Sequence, residues 1–337
     1  MRVGSSIGRC QMINVNDIAA ADQRCRDGEH AIFETPLTPS PMLSAICNAD
    51  VYLKHEQMQR TGSFKYRGAL NTLLLARERG ASPAVVAASS GNHGLAVATA
   101  ARATGFTATV YVPATADPAK LAAIQGAGAM LETVDGDSLQ AELTAREVAS
   151  RAGNLFISPY NDPDVVAGQG TIGLELMRQC STADRVIVAV GGGGLMSGIA
   201  TAMRESGSSA KFVGVWPEVA CSMYRCLEAG KIIDVAEDVT LSDGTAGGVE
   251  QGAITFGLLA SLLDERWLIS ERAIGEAMRW LAQNEHLLVE GSAAMAVAPL
   301  LAARTELAGR RVVVVLCGRN IALERFLAAV ERASAPL

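Results

Sequence analysis

An α/β fold rich in parallel strands is predicted for this chain, on three observations. Short apolar, strand-like runs alternate with segments of helical periodicity over most of the length. The connections are short, with Gly105 and Gly126 where helix C-caps belong. The alternation comes in two runs, one from Ala84 to Val134 and another from Arg185 onward.

The elements follow in order. Asn14 to Arg24 is expected as a helix capped by Asn14 or Asn16. Thr35-Pro36-Leu37 and Pro39-Ser40-Pro41 read as a proline-rich entry loop, and Asp50 to Lys54 as a strand. His55, beside that strand's end, is taken as structural. Lys65 to Arg79 is expected as a helix, with Leu70, Leu73 and Leu74 at helical spacing. In the first run, strands Ala84–Ala87, Thr109–Val112 and Met130–Val134 are separated by helices Asn92–Thr104 and Pro118–Gln125. A helix at Ser138–Ala152, a strand at Leu155–Ile157 and a helix at Asp164–Gln179 come next, the last weakened by Gly168 and Gly170. In the second run, strands are expected at Arg185–Val190, Lys211–Val215, Trp267–Ile269 and Arg311–Leu316. Helices are expected at Leu195–Glu205, Cys221–Ala229, Ser270–Glu285, Glu290–Ala302 and Ile321–Arg332, and Asp243–Gly252 as a glycine-rich loop.

Composition excludes several classes. The chain has 337 residues, 49% hydrophobic and 19% charged, and carries a formal net charge of −6 without a basic stripe. Nucleic acid is therefore not an expected partner. The cysteines Cys10, Cys25, Cys47, Cys180, Cys221, Cys226 and Cys317 are odd in number and form no Cys-x-x-Cys pair, which speaks against a disulfide framework or a structural zinc site. Arg2, Arg9 and Asp17 interrupt any apolar leader, and no uncharged apolar run reaches membrane-spanning length. A soluble cytoplasmic protein is expected.

Four stretches carry chemistry. In Thr61-Gly62-Ser63-Phe64-Lys65-Tyr66-Arg67-Gly68-Ala69, Lys65 follows an aromatic residue at the mouth of a helix. Partial desolvation there lowers an amine's pKa and makes it a Schiff-base nucleophile. Gly191-Gly192-Gly193-Gly194 joins a buried strand to a helix N-terminus, where free N–H groups hold an anion. A P-loop would need Gly-Lys-Ser/Thr, and a dinucleotide fingerprint fails at Met196 or Ser197. Ser89-Ser90-Gly91-Asn92-His93-Gly94 makes a second such junction, suited to a substrate carboxylate; His93 itself is taken as having no proton role. Cys317 ends the last strand before Gly318-Arg319-Asn320.

Together, Ser63–Ala69, Ser89–Gly94 and Gly191–Leu195 resemble the pyridoxal-phosphate (PLP) dependent serine/threonine dehydratase family, which includes threonine ammonia-lyase and serine racemase and shares the tryptophan synthase β-chain fold. The resemblance runs from about Thr35 to Ala328. It implies two open, twisted, mostly parallel sheets flanked by helices, with a small mobile substrate-binding domain at 84–160 inserted in a large PLP-binding domain, 1–83 and 161–337. It implies Lys65 and Ser90 as catalytic residues. Phe64, Asn92, Gly191 to Gly194, Leu195 and Cys317 would hold the cofactor, and Ser89, Ser90, Gly91, Asn92 and His93 the substrate. Ser90 matches the racemase serine that acts as acid/base opposite the lysine. Cys317 would face the pyridine nitrogen; a neutral thiol cannot hold that nitrogen protonated as a carboxylate would, so the ring withdraws electrons less and the site suits β-elimination. Glu290, in Val289-Glu290-Gly291-Ser292-Ala293, resembles the family's Glu-Pro-Ser-Gly and is given a supporting role.

Departures separate the chain from the racemase pattern. Leu139 stands in Gly136-Asp137-Ser138-Leu139 where the racemases have Arg, Tyr160 follows Ser158-Pro159 in place of Asn, and Trp216 replaces the first acidic metal ligand in Gly214-Val215-Trp216-Pro217. No metal is expected. Arg319 stands where Gly is more common. The implied activity is a homodimeric ammonia-lyase acting on an L-β-hydroxy amino acid. The substrate is threonine, serine or a bulkier relative such as a β-aryl serine, 3-hydroxyaspartate or an ectoine-derived hydroxy acid. β-Replacement as in cysteine synthase, racemisation, or PLP binding without turnover are the alternatives. With one helix after Cys317, no isoleucine-responsive regulatory region is expected.

Overall fold

The computed structural model describes residues 13–333. Cys10 and the N-terminal charges Arg2 and Arg9 lie outside the described residues. In chain order the strands are β1 (Leu37–Pro39), β2 (Asp50–Lys54), β3 (Ala84–Ala88), β4 (Thr107–Pro113), β5 (Met130–Val134), β6 (Leu155–Phe156), β7 (Arg185–Ala189), β8 (Lys211–Pro217), β9 (Glu265–Ile269) and β10 (Arg311–Val315). They form two sheets. The larger has the order β1-β2-β10-β7-β8-β9, and the smaller β5-β4-β3-β6. Every pairing is parallel except β1 against β2 at the edge. Helices cover both sheets, so the central strands carry unbroken apolar runs: Val186 to Ala189 and Val312 to Val315 are wholly buried.

Several elements were not legible as predicted. Ser40 caps a helix at Pro41–Cys47, with proline at a first-turn position where its missing N–H costs nothing. Pro39 sits on the edge strand, the position a sheet tolerates. A further helix occupies Ile254–Leu262. The segment 290–302 is two short helices, Gly291–Met295 and Ala298–Leu301, not one. The helix Glu271–Trp280 continues as a π-turn, Leu281–Glu285, closed by His286 at φ 55°.

Three helices set the position of the site. Helix Lys65–Glu78 buries Tyr66, Ala69, Leu70 and Leu73 in the core of the smaller sheet, with Val85, Val97 and Val110. Its other side meets helix Pro163–Gln179, which in turn packs on helix Gly194–Glu205. Glycines make these approaches close: a Cβ on Gly168 would lie 2.6 Å from Gly68 Cα, and one on Gly198 2.6 Å from Gly170 N. These glycines look like helix breakers in the sequence, yet here they let backbones touch. Between the same helices runs a buried charge network. Arg67 pairs with Glu56 at 2.8 Å and Glu175 at 2.6 Å, and Lys54 bonds Glu175 and the Thr35 carbonyl. Two cations balance two anions there, so removing one partner would strand a buried charge at a cost of about 3–5 kcal/mol.

Candidate active site

Lys65 is the first residue of its helix, and the chain just before it is stitched to the end of β10. Ser63 pairs with Gly318 in an antiparallel bridge, and the Phe64 N–H donates to the Cys317 carbonyl at 3.1 Å. That seam brings two predicted site residues, 252 positions apart in sequence, to one place. The Lys65 Nζ donates to the Pro159 carbonyl at 2.8 Å. Burial lowers its pKa from 10.5 to about 8, with only small opposition from Cys317 and Glu290. Burial also raises the Cys317 thiol well above its ordinary value, so it is neutral.

The glycine loop follows β7. Gly193 takes φ 90°, a left-handed geometry that glycine adopts without strain, and caps helix Gly194–Glu205. No acceptor among the described residues takes the N–H groups of Gly191 to Leu195. A Cβ on Gly192 would overlap the Tyr160 ring, and one on Gly191 would lie 2.9 Å from the Thr245 backbone. Glycine is required here by close approach as well as by conformation.

The Ser89–Gly94 loop joins β3 to helix Asn92–Thr104. Ser89 Oγ accepts from the Gly91 N–H at 3.1 Å, tightening the turn, and Ser90 is half-buried. His93 points elsewhere: its Nε2 meets the Ile157 carbonyl at 2.8 Å, and burial first, then Lys65, lowers its pKa to about 3. It is a neutral imidazole that ties this loop to the end of β6. The nitrogen of Asn92 reaches both Glu290 oxygens, at 2.9 and 3.0 Å, and its Oδ1 accepts from Asn320 Nδ2 at 2.6 Å. Burial raises the Glu290 pKa to about 7 against the pull of these donors.

Sequence reasoning gave Asn320 no site role, marked Tyr160 only as a departure from the racemase pattern, and gave Glu290 a supporting role. Each sits far along the chain from what it touches, and no local pattern tells what that partner is. The glycine-rich segment 243–252 also frames the site. Asp243 takes Lys120 at 2.9 Å and Arg325 at 2.7 Å, and Glu250 takes Arg146 at 2.6 Å. Tyr160 Oη accepts from the Glu250 N–H at 2.9 Å. Lys120 and Arg146 come from helices flanking the smaller sheet, so this loop is clasped to it.

The donor set fits a phosphorylated pyridine aldehyde. Free N–H groups at a helix start suit its phosphate, and the buried hydroxyls Thr61 Oγ1 and Ser63 Oγ have no partner among the described residues. A partly neutral amine and a neutral thiol stand nearby.

Such a site defines a PLP enzyme, and the chain belongs to the pyridoxal-phosphate dependent enzyme family, whose model matches residues 29–318. It is 36% identical to an L-threonine ammonia-lyase of Thermotoga maritima, over 92% of this chain and 76% of that one. It is 33% identical to the L-threo-3-hydroxyaspartate ammonia-lyase of Saccharomyces cerevisiae, over 92% and 94%. Among solved structures, the processed threonine deaminase isoform 2 of Solanum lycopersicum superposes with a TM-score of 0.87 at 29% identity, covering 95% of this chain and 92% of that one. A PLP-dependent aspartate racemase superposes at 0.86 with 33% identity, covering 93% and 98%. The expected fold, two mostly parallel sheets flanked by helices, is the one observed.

Proposed function

We propose that the protein is a dehydratase and ammonia-lyase that removes water from an L-β-hydroxy amino acid, threonine or serine by default, giving a 2-oxo acid and ammonia. The observation that carries this reading is the pairing of a partly neutral Lys65 with a neutral Cys317 at one seam of the fold. Bound PLP supplies the electron sink that acidifies Cα. Lys65 would hold the cofactor through its amine, and the same amine, with its lowered pKa, would serve as the base for the Cα proton. The Gly191–Leu195 backbone would hold the phosphate, and Phe64, Asn92 and Cys317 would hold the ring. Ser89, Ser90, Gly91 and the start of the Asn92 helix receive the substrate carboxylate. His93 contributes by holding that loop. Ser90 stands as the hydroxyl opposite Lys65. The β-hydroxyl leaves with a proton as water. The released enamine is hydrolysed, regaining that water, so the net reaction converts threonine to 2-oxobutanoate and ammonia.

The chain portion 84–160 is proposed as a small mobile domain closing over the substrate, and the protein as a cytoplasmic homodimer. The described cysteines are all free, which supports a reducing compartment. No helix among the described residues is long and apolar enough to cross a membrane. The test is a panel of L-threonine, L-serine, β-aryl serines and 3-hydroxyaspartate, scored for 2-oxo acid and ammonia. Release without added thiol supports elimination. Product only with a thiol present points to β-replacement, and PLP binding with no product from any substrate overturns the enzyme reading.

A further inference from the structure

We propose that Glu290 is a positioning residue that fixes the Asn92 amide and thereby the donor Asn92 presents to the cofactor ring; this rests on the PLP reading above. Both Glu290 oxygens lie against the Asn92 nitrogen, and the Asn92 oxygen faces Asn320. Asn320 settles the opposite end. Its Nδ2 donates to the Thr61 carbonyl at 2.8 Å and to Asn92 Oδ1 at 2.6 Å, while its backbone N–H donates to Glu290 Oε2 at 3.2 Å. Both amide orientations follow from obligatory donors and acceptors. The two oxygens of one carboxylate lie too close together to take two diverging N–H bonds. One Asn92 N–H is therefore shared between them, and the other is left for a ligand.

The surroundings are shaped for this carboxylate. A Cβ on Gly318 would lie 2.5 Å from Glu290 Oε1, and one on Gly244 3.6 Å from it. Any side chain at 318 would displace Glu290 from Asn92. Glu290 caps helix Gly291–Met295 without a side-chain bond to it, because the carboxylate turns into the site instead. The triad also joins segments that follow different sheets: Asn92 follows β3, whereas Asn320 follows β10.

Glu290→Gln keeps the shape but offers one acceptor oxygen and adds two donors. With its oxygen in the Oε2 place the glutamine still accepts from Asn92 and the Asn320 N–H, but its own NH2 then stands where Oε1 was, donor against the Asn92 nitrogen, and Asn92 is pushed to turn. PLP affinity of the cofactor-free protein, followed by fluorescence titration, should fall about tenfold, the size of one buried hydrogen bond to a charged group. The visible absorption band of the holoenzyme should shift, while the urea midpoint of the cofactor-free protein stays near wild type. Glu290→Asp, which keeps the charge, should restore part of the affinity. Asn320→Ala should shift the band in the same direction. Adding it to Glu290→Gln should cost no more than the larger single change, because the residues act as one unit. Unchanged affinity and spectrum in Glu290→Gln, or additive losses in the double variant, would overturn the proposal. If Glu290→Gln fails to fold, Asn320→Ala carries the test, and an unshifted band there is equally fatal. Absence of PLP binding by the wild type would instead defeat the underlying reading.

Discussion

Replacing Lys65 by methionine should change how the stability of the cofactor-free protein depends on pH. Burial lowers the Lys65 pKa from 10.5 to about 8. Between those values the unfolded chain binds more protons than the folded one, so stability rises with pH across that window. Below about pH 8 the folded protein carries the full cost of a desolvated ammonium. A shift of that size corresponds to an upper limit of about 3 kcal/mol. Lys65 is only half-buried, so solvent screening reduces the expected cost to ~1–2 kcal/mol. Methionine has similar length and no charge. It gives up the bond to the Pro159 carbonyl, a loss of ~1 kcal/mol that is present at every pH. Urea unfolding of both cofactor-free proteins at pH 7 and pH 10 isolates the charge: the variant should gain on the wild type by ~1–2 kcal/mol at pH 7 relative to pH 10. A gap that does not change with pH, or one that favours the wild type more at pH 7, would refute a buried, proton-depleted lysine. The same variant should show neither the bound-cofactor absorption nor turnover.

Gly192→Ala should weaken PLP binding by at least tenfold, because its methyl overlaps a Tyr160 ring pinned by the Glu250 N–H; titration of the cofactor-free variant checks this, and wild-type affinity would argue against an anion cradle at 191–194. Asp243→Asn should raise KM roughly two- to fivefold at low ionic strength, since half-exposed ion pairs contribute ~0.5–1 kcal/mol, and should blunt the salt dependence that Lys120 and Arg325 confer; kinetics across a salt series with no difference from wild type would mean the clasp does not govern closure. EDTA should leave activity and thermal midpoint unchanged, because buried Trp216 packs its indole over Gly214 and Ser222 Oγ is spent on Glu237; a midpoint that falls on chelation and recovers with Mg²⁺ would restore a racemase-like metal site.

What the sequence revealed, and what it hid, follows from where each constraint acts. The helix that begins at Lys65 and the strand-to-helix junctions at Asn92 and Gly191–Gly194 are legible because their demands are local: a helix mouth and tight turns built on glycine. The strands β7 and β10 are legible because burial on both faces forces unbroken apolar runs. Helix Pro41–Cys47 was hidden because proline marks a loop and a helical first turn equally well. The contacts that join Glu290, Asn92 and Asn320 were hidden for a different reason. Glu290 and Asn320 lie 198 and 228 residues from Asn92, and a polar contact over that distance has no period to read. The glycines of helix Pro163–Gln179 show the same limit in reverse. Taken singly, Gly168 and Gly170 weaken a helix by about 1 kcal/mol each. Taken with Gly68 and Gly198, they set the spacing between the helix that begins at Lys65 and the helix that begins at the glycine loop. On the function proposed above, the amine and the glycine loop would serve one small cofactor only at a fixed separation. The local cost of those glycines is therefore inseparable from the function the site performs.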